Sequence, residues 1–505
     1  MAMNRFVKQQ NLQSALQLTP LISRRSNGIA LLGHPRPFHN SSNNLAKPEK
    51  TDGPSAHHTK FMNPIVRELW DQRQATKKRM MSLTDEDSQT TGSGNLQELT
   101  ANIMKKGKGI PGEKNAGFKH ASDSKTSIDY NFKSDEFLRE AYKSPGGTMR
   151  FGKVLEDLDA LAGNIAFHHV IGDNLMLVTA AVDRIALRDL PTMKNDQRLS
   201  GQVTYVGSSS MEIRMQIHEL SGDSDEPKPV KGENPYLEAY FTFVAVDPET
   251  NRPVKICPLV PETSEERALF ELGAYKAAKK KEARKRGLGN NGQPLTEEGL
   301  QMERRAEQLM SDAFPLMRMP SLADPQAILM SHTQMQNSMV AQPQVRNLSN
   351  KIFGGFLMRR AFELAFANAY SFGGEWPQML EVDNITFNAP VNVGDLLQFT
   401  SRVIYSLPDG GNLGAEVKKH SSKPLVMIEV ECYVMEPEIV KAHLSNRFYF
   451  TFVLPTKESC RKVLPGTLEE ARRMVQRMVA DEEQAGLGKG YLHQYDLEDA
   501  ETDGK

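Results

Sequence analysis

The chain has 505 residues, 39% hydrophobic and 25% charged, which is enough apolar material for two or three domains and too much for a single small module. Its 62 Lys and Arg against 63 Asp and Glu leave a formal charge of −1, which argues against a general polyanion binder held by counterion release. Three scattered cysteines (Cys257, Cys432, Cys460) argue against a disulfide framework, and every apolar run is interrupted well short of a bilayer span.

The first 48 residues hold six cations (Arg5, Lys8, Arg24, Arg25, Arg36, Lys47), and the first acid is Glu49. With amphipathic turns around Leu12, Leu16 and Leu18 and no compact apolar core, residues 1–48 read as a mitochondrial presequence, the alternative being a disordered basic tail. Arg36 to Ser41 (RPFHNS) fits the RxFxxS pattern of presequences trimmed twice in the matrix. Residues 49–130 read as linker with one charged helical segment near Ile65 to Met81. The KKGKGIPGEK run at 105–114 lacks the GK[ST] of a phosphate loop and reads as a solvated loop.

Dense apolar periodicity then sets in, and the chain says nearly the same thing twice. Gly152 to Phe167 matches Gly355 to Tyr370 at an offset of 203, and both read as helices. Residues 182–206 lie over 382–406 at a constant offset of 200, and YFTFV recurs at Tyr240 and Tyr449. Each repeat is expected to be one long helix followed by strands, at 202–206, 210–220 and 236–246, then at 396–406, 425–435 and 446–454. This is an α+β chain whose two halves, 131–250 and 331–456, should bury each other's edges. Residues 251–330 read as a helical linker whose basic cluster, Lys279 to Arg286, reads as a solvated face beside Glu271 and Glu282, the alternative being a contact with an acidic surface. Residues 457–505 read as a helix at about Thr467 to Gln484 with an acidic tail.

GxSxG, HExxH, Walker A and strand-to-helix GxGxxG motifs are absent, so the chemistry is sought in the repeats. Asp157 and Asp159 flank the apolar stripe of the first helix. Asp157 has Lys153 one turn before it and reads as a surface ion pair. Asp159 has only Leu155, Glu156, Ala162 and Gly163 as one-turn neighbours, which makes it either a general base or nucleophile, or a carboxylate that reaches water. In the second repeat Asn347 and Asn350 lead into Gly354 and Gly355, where bare N–H groups at a helix start suit an oxyanion. By the 203 offset, Asp159 corresponds to Phe362 and Asn347 to Ser144, so neither copy carries both polar groups. His168 and His169, without nearby Cys or clustered carboxylates, read as helix-end residues rather than metal ligands.

NxxNxIFGGFLMR, RFGKVLEDLDAL and APVNVGDLL resemble the double-hotdog acyl-CoA thioesterases, most nearly the mitochondrial acyl-coenzyme A thioesterase 9 branch, from about Ser127 to Phe452. The resemblance implies two tandem hotdogs, each a long helix wrapped by antiparallel sheet, with helical insert and tails. It implies acyl-CoA as substrate, no cofactor or metal, no nucleic-acid partner, no membrane insertion, and a ring of three chains. The family's helical Asp maps to Asp159. Its catalytic Asn maps to Asn347, with Asn350 standing where many relatives have Gly, so the asparagine is one of these two, with Gly355 N–H at the oxyanion. The expected activity is thioester hydrolysis in the mitochondrial matrix. The alternatives are a catalytically weak acyl-CoA-binding scaffold and a hotdog dehydratase.

Overall fold

The computed structural model describes residues 64–75, 117–170, 175–187, 193–220, 235–250, 252–288, 297–347, 351–410, 423–458 and 460–482. The expected presequence, the KKGKGIPGEK run, Asn350 and the acidic tail lie outside these residues. In chain order come helix α1 (64–75), α2 (Ala121–Ser124), β1 (Thr126–Tyr130), α3 (Glu136–Tyr142) and α4 (Phe151–His169). They are followed by β2 (Met176–Leu187), β3 (Gln197–Val206), β4 (Ser210–Glu219), β5 (Leu237–Val246), α5 (Ser264–Leu288) and α6 (Glu297–Arg318). The second half holds β6 (Ala327–Leu329), β7 (Met335–Val340), α7 (Gly354–Gly373), β8 (Gln378–Phe387), β9 (Leu396–Leu407), β10 (Leu425–Glu436), β11 (Lys441–Val453), β12 (Lys462–Leu464) and α8 (468–482).

Among the described residues, ten strands form one antiparallel sheet in the order β1-β3-β4-β5-β2-β8-β11-β10-β9-β7. Read inward from either end, the order is the same: an edge strand, then the third, fourth, fifth and second strands of its own repeat. At the junction Val182 pairs with Ile385 and Ile185 with Val382, so positions 200 apart pair reciprocally about a local twofold axis. Joining β2 to β8 removes one exposed edge from each half.

Alternation builds the inner sheet face. Along β5 every second residue is buried, with Leu237, Ala239, Phe241, Phe243 and Ala245 inward. α4 and α7 lay their apolar faces on that core, α4 through Leu155, Leu158, Leu161 and Ile165 and α7 through Leu357, Met358, Ala361 and Ala365. α7 stops at Gly374, which takes the left-handed φ of 70° that a side chain would resist. Gly152 lies against Arg359 and Phe362, and Gly355 against Glu156 and Asp159, so the two helices run antiparallel with each N-terminus against the middle of the other.

The outer face is covered by two helices that the sequence does not reveal as equivalents. α5 and α8 start with the same capping box: Glu266 N–H donates to Thr263 Oγ1 while Glu266 Oε2 accepts from Glu262 N–H, and Glu470, Thr467 and Gly466 repeat the pattern. Lys280 of α5 pairs with Asp183, and Arg477 of α8 with Asp383, the residue 200 positions on. Lys280 therefore turns to the sheet rather than joining a solvated basic face.

Among the expected strands, all six form. The sequence missed β1 and β2 and their counterparts β7 and β8. β1 lies within the stretch expected to be linker, before residue 131. Among the described residues no helix is long and apolar enough to cross a membrane.

Candidate active site

Asp159 faces the N-terminus of α7. Gly355 N–H donates to Asp159 Oδ2 at 2.6 Å, and the Thr179 hydroxyl, from β2, donates to Asp159 Oδ1 at 2.9 Å. The carboxylate is 2% exposed. Burial pushes its carboxyl up to about 6, against the opposing pull of the Thr179 and Gly355 hydrogen bonds. These two donors and the positive end of the α7 dipole hold the group in place, yet leave it far more basic than an exposed aspartate.

Gly355 N–H, expected at the oxyanion, meets the carboxylate in this structure. It is engaged by Asp159 because the nearest anion to a helix start is this carboxylate. Gly355 has no room for a side chain: a Cβ there would lie 2.8 Å from Glu156 Cα and 3.1 Å from Asp159 Cβ. Asn347 sits in the loop entering α7, where its N–H donates to Lys351 O at 2.6 Å and its Oδ1 accepts from Lys351 N–H at 3.0 Å. Its amide oxygen is thus committed to shaping the loop.

The related place in the other half has the same backbone and different chemistry. Ser144 N–H donates to Thr148 O at 2.8 Å, as Asn347 does to Lys351. Thr179 pairs across the sheet with Phe243, and Met379 pairs with the equivalent Phe452, so Met379 stands where Thr179 does. Phe362 replaces Asp159, and Phe151 replaces Gly354. The Phe151 and Phe362 rings meet edge to face at 5.1 Å, and Phe362 also packs on Phe450 and Phe452. Rings fill this second place, so of the two related places the one at Asp159 carries the carboxylate. Glu156 and Arg359, 203 residues apart, pair between the two places at 3.2 Å.

Asp157 is corrected outright. It is fully buried rather than part of a surface ion pair, and accepts hydroxyl hydrogen bonds from Tyr142 at 2.6 Å and Tyr130 at 2.9 Å. Burial drives its carboxyl well above the usual range. The tyrosines come from β1 and α3, so no inspection of the helix alone reveals them. The histidines do end α4: His168 Nδ1 lies 3.3 Å from Thr126 Oγ1, and His169 Nε2 lies 3.1 Å from Cys257 O. Burial pushes His169 down to about 4. No cluster suited to a metal ion occurs among the described residues. Thr179 is the site residue that sequence reasoning missed; extending the 200 offset three residues upstream of Val182 sets it against Met379.

Two helix-and-sheet units joined edge to edge through β2 and β8 make a double-hotdog fold, with the Asp159 carboxylate buried against the start of α7. No protein-family model matches the chain. It is 40% identical over 377 residues to "Acyl-coenzyme A thioesterase 4, mitochondrial" of Humulus lupulus, covering 72% of this chain and 67% of that one. It is 39% identical to "Acyl-coenzyme A thioesterase 2, chloroplastic" of the same plant, over 72% of this chain and 81% of the relative. It is 33% identical to "Acyl-coenzyme A thioesterase 9, mitochondrial" of Homo sapiens, over 67% and 72%. The chain belongs to the acyl-coenzyme A thioesterase family and is a thioester hydrolase.

Proposed function

We propose that the chain hydrolyses fatty acyl-CoA to free fatty acid and CoA at the single site formed by Asp159 and the start of α7. The observation that carries this is the 2.6 Å bond from Gly355 N–H to the buried Asp159 carboxylate, one partner from each repeat. With its carboxyl near 6, Asp159 is charged at neutral pH and basic enough to take a proton from water attacking the thioester carbon. As the carboxylate gains that proton its hold on Gly355 N–H weakens, and this donor becomes available to the developing oxyanion. The asparagine of the preceding loop, Asn347 or Asn350, orients the water or carbonyl. The tetrahedral intermediate then expels CoA as thiolate, which recovers the proton.

Two rival functions fit less well. A dehydratase needs a histidine beside the acid, whereas His168 and His169 lie at the end of α4 against Thr126 and Cys257. A scaffold has no use for a carboxylate and its hydroxyl donor, yet the half that lost one has lost the other. The acid-free first 48 residues, with the mitochondrial names of two relatives above, favour the mitochondrial matrix over the chloroplast named for the third. Family likeness favours assembly of three chains in a ring.

Free-thiol release from acyl-CoAs of increasing chain length tests the reaction. Turnover of at least one chain length is expected, and none from acetyl to palmitoyl would remove the proposal. Mass spectrometry of the mature N-terminus, expected between about Phe38 and Lys50, tests the compartment, and an intact Met1 or Ala2 on the mature pool would contradict it.

A further inference from the structure

Gly354 lies against one flank of the carboxylate. A Cβ built on it would stand 3.0 Å from Asp159 Oδ2 and 3.3 Å from both Cε1 and Cζ of Phe387. A ring edge and a carboxylate oxygen thus rest on the same bare glycine, on the side of Asp159 away from the oxygen bound by Thr179. Phe387 closes β8 and is half-buried, packed against the core. An aromatic edge carries partial positive charge, so it tolerates an anion beside it while excluding water.

The other half shows what this arrangement replaces. There Phe151 stands at the place of Gly354 and fills the space from the helix itself, and the residue 200 positions before Phe387 is Leu187. Only in the half with a carboxylate does the helix start with a glycine and the ring arrive from the strand. The backbone stays approachable, and the carboxylate is still walled on one side.

We propose that Phe387 is a positioning residue of this site, whose ring walls the Asp159 carboxylate from bulk water beside Gly354. The inference rests on Asp159 being the base. Removing the wall admits water to the carboxylate, stabilises its charged form and lowers the pH at which it takes up a proton. Loss of packing alone lowers the amount of folded enzyme or its kcat and leaves that pH where it was.

The experiment is the pH profile of kcat/KM for hydrolysis of the acyl-CoA that the full chain turns over fastest, for the unmodified protein, Phe387→Ala and Phe387→Leu, each checked for folding by its melting curve. The expected result is an acid limb that moves down by about half a pH unit or more in Phe387→Ala and much less in Phe387→Leu, whose side chain still covers the flank. A folded Phe387→Ala protein with an unmoved acid limb would overturn the proposal, whatever its kcat. If Phe387→Ala does not fold, Phe387→Leu and Phe387→Val are compared instead. A limb that moves further for the smaller side chain supports the wall, and an equal limb in both contradicts it. Asp159→Asn separates the two ideas. If that variant keeps the acid limb, the base is wrongly assigned; if it abolishes the limb while Phe387→Ala leaves it unmoved, only the wall fails.

Discussion

Thr179 Oγ1 donates to Asp159 Oδ1 at 2.9 Å, and the residues at those two places in the second repeat, Met379 and Phe362, have neither hydroxyl nor carboxylate. A hydroxyl lost together with the carboxylate it serves belongs to the same device. Thr179→Val keeps the shape and removes the donor, so kcat should fall by roughly tenfold, the cost of about 1.4 kcal/mol. Thr179→Ser should restore most of it. Steady-state kinetics on both variants check this, and an unaffected kcat in Thr179→Val would show that Gly355 alone orients the acid.

Asp159 also sets a stability profile. Its carboxyl is pushed from the ordinary 3.8 up to about 6, so between those values the folded chain binds more protons than the unfolded one. Stability from this group is therefore full below about pH 4 and lost as pH rises through about 6, a penalty on the order of 3 kcal/mol at neutral pH. Asp159→Asn escapes the penalty: its Oδ1 can accept from Gly355 and its Nδ2 can donate to the Thr179 hydroxyl. The variant should melt above the unmodified protein at pH 7.5, with the gap closing toward pH 4. Thermal melts across that range decide it, and a variant that melts lower throughout would contradict the burial argument.

The two helix starts differ in tolerance. A Cβ on Gly355 would stand 2.8 Å from Glu156 Cα, a backbone atom that cannot yield without parting the helices, whereas on Gly152 the nearest atom is Arg359 Cγ at 3.2 Å, part of a flexible side chain. Gly355→Ala should cost about 2–3 kcal/mol and most of the activity, and Gly152→Ala less than about 1 kcal/mol of stability. Denaturant titration with an activity assay compares them, and equal losses would refute the asymmetry.

Asp157→Ala leaves the hydroxyls of Tyr130 and Tyr142 without their acceptor inside the core. A destabilisation of about 2–4 kcal/mol is expected, with specific activity per folded molecule nearly intact. If folded Asp157→Ala were as inactive as Asp159→Asn, the role assigned to Asp159 alone would be wrong.

The repeat, its long helices and six of its strands were legible because periodicity and self-similarity are local properties. β1 and β7 were not, since TSIDY and MQNSMV are short edge strands with exposed polar positions. The equivalence of α5 and α8 was hidden because beyond the shared Thr-x-x-Glu start their shared feature is contact with Asp183 and Asp383, which exists only after the sheet forms. Asp159 stands out by lacking a cation in its own helix, and the structure buries its carboxylate against Thr179 and Gly355. The same reasoning misplaced Asp157, because Lys153 one turn away suggested a surface pair while its buried partners came from β1 and α3. Asn350 lies outside the described residues, so the choice between it and Asn347 still belongs to kinetics.

The most direct measurement is the rate of thiol release from acyl-CoA by Asp159→Asn, whose folding is confirmed by its melt. With Asp159 as the base, hydrolysis falls by roughly a hundredfold or more. A folded Asp159→Asn protein that releases CoA thiol at the unmodified rate would contradict the account.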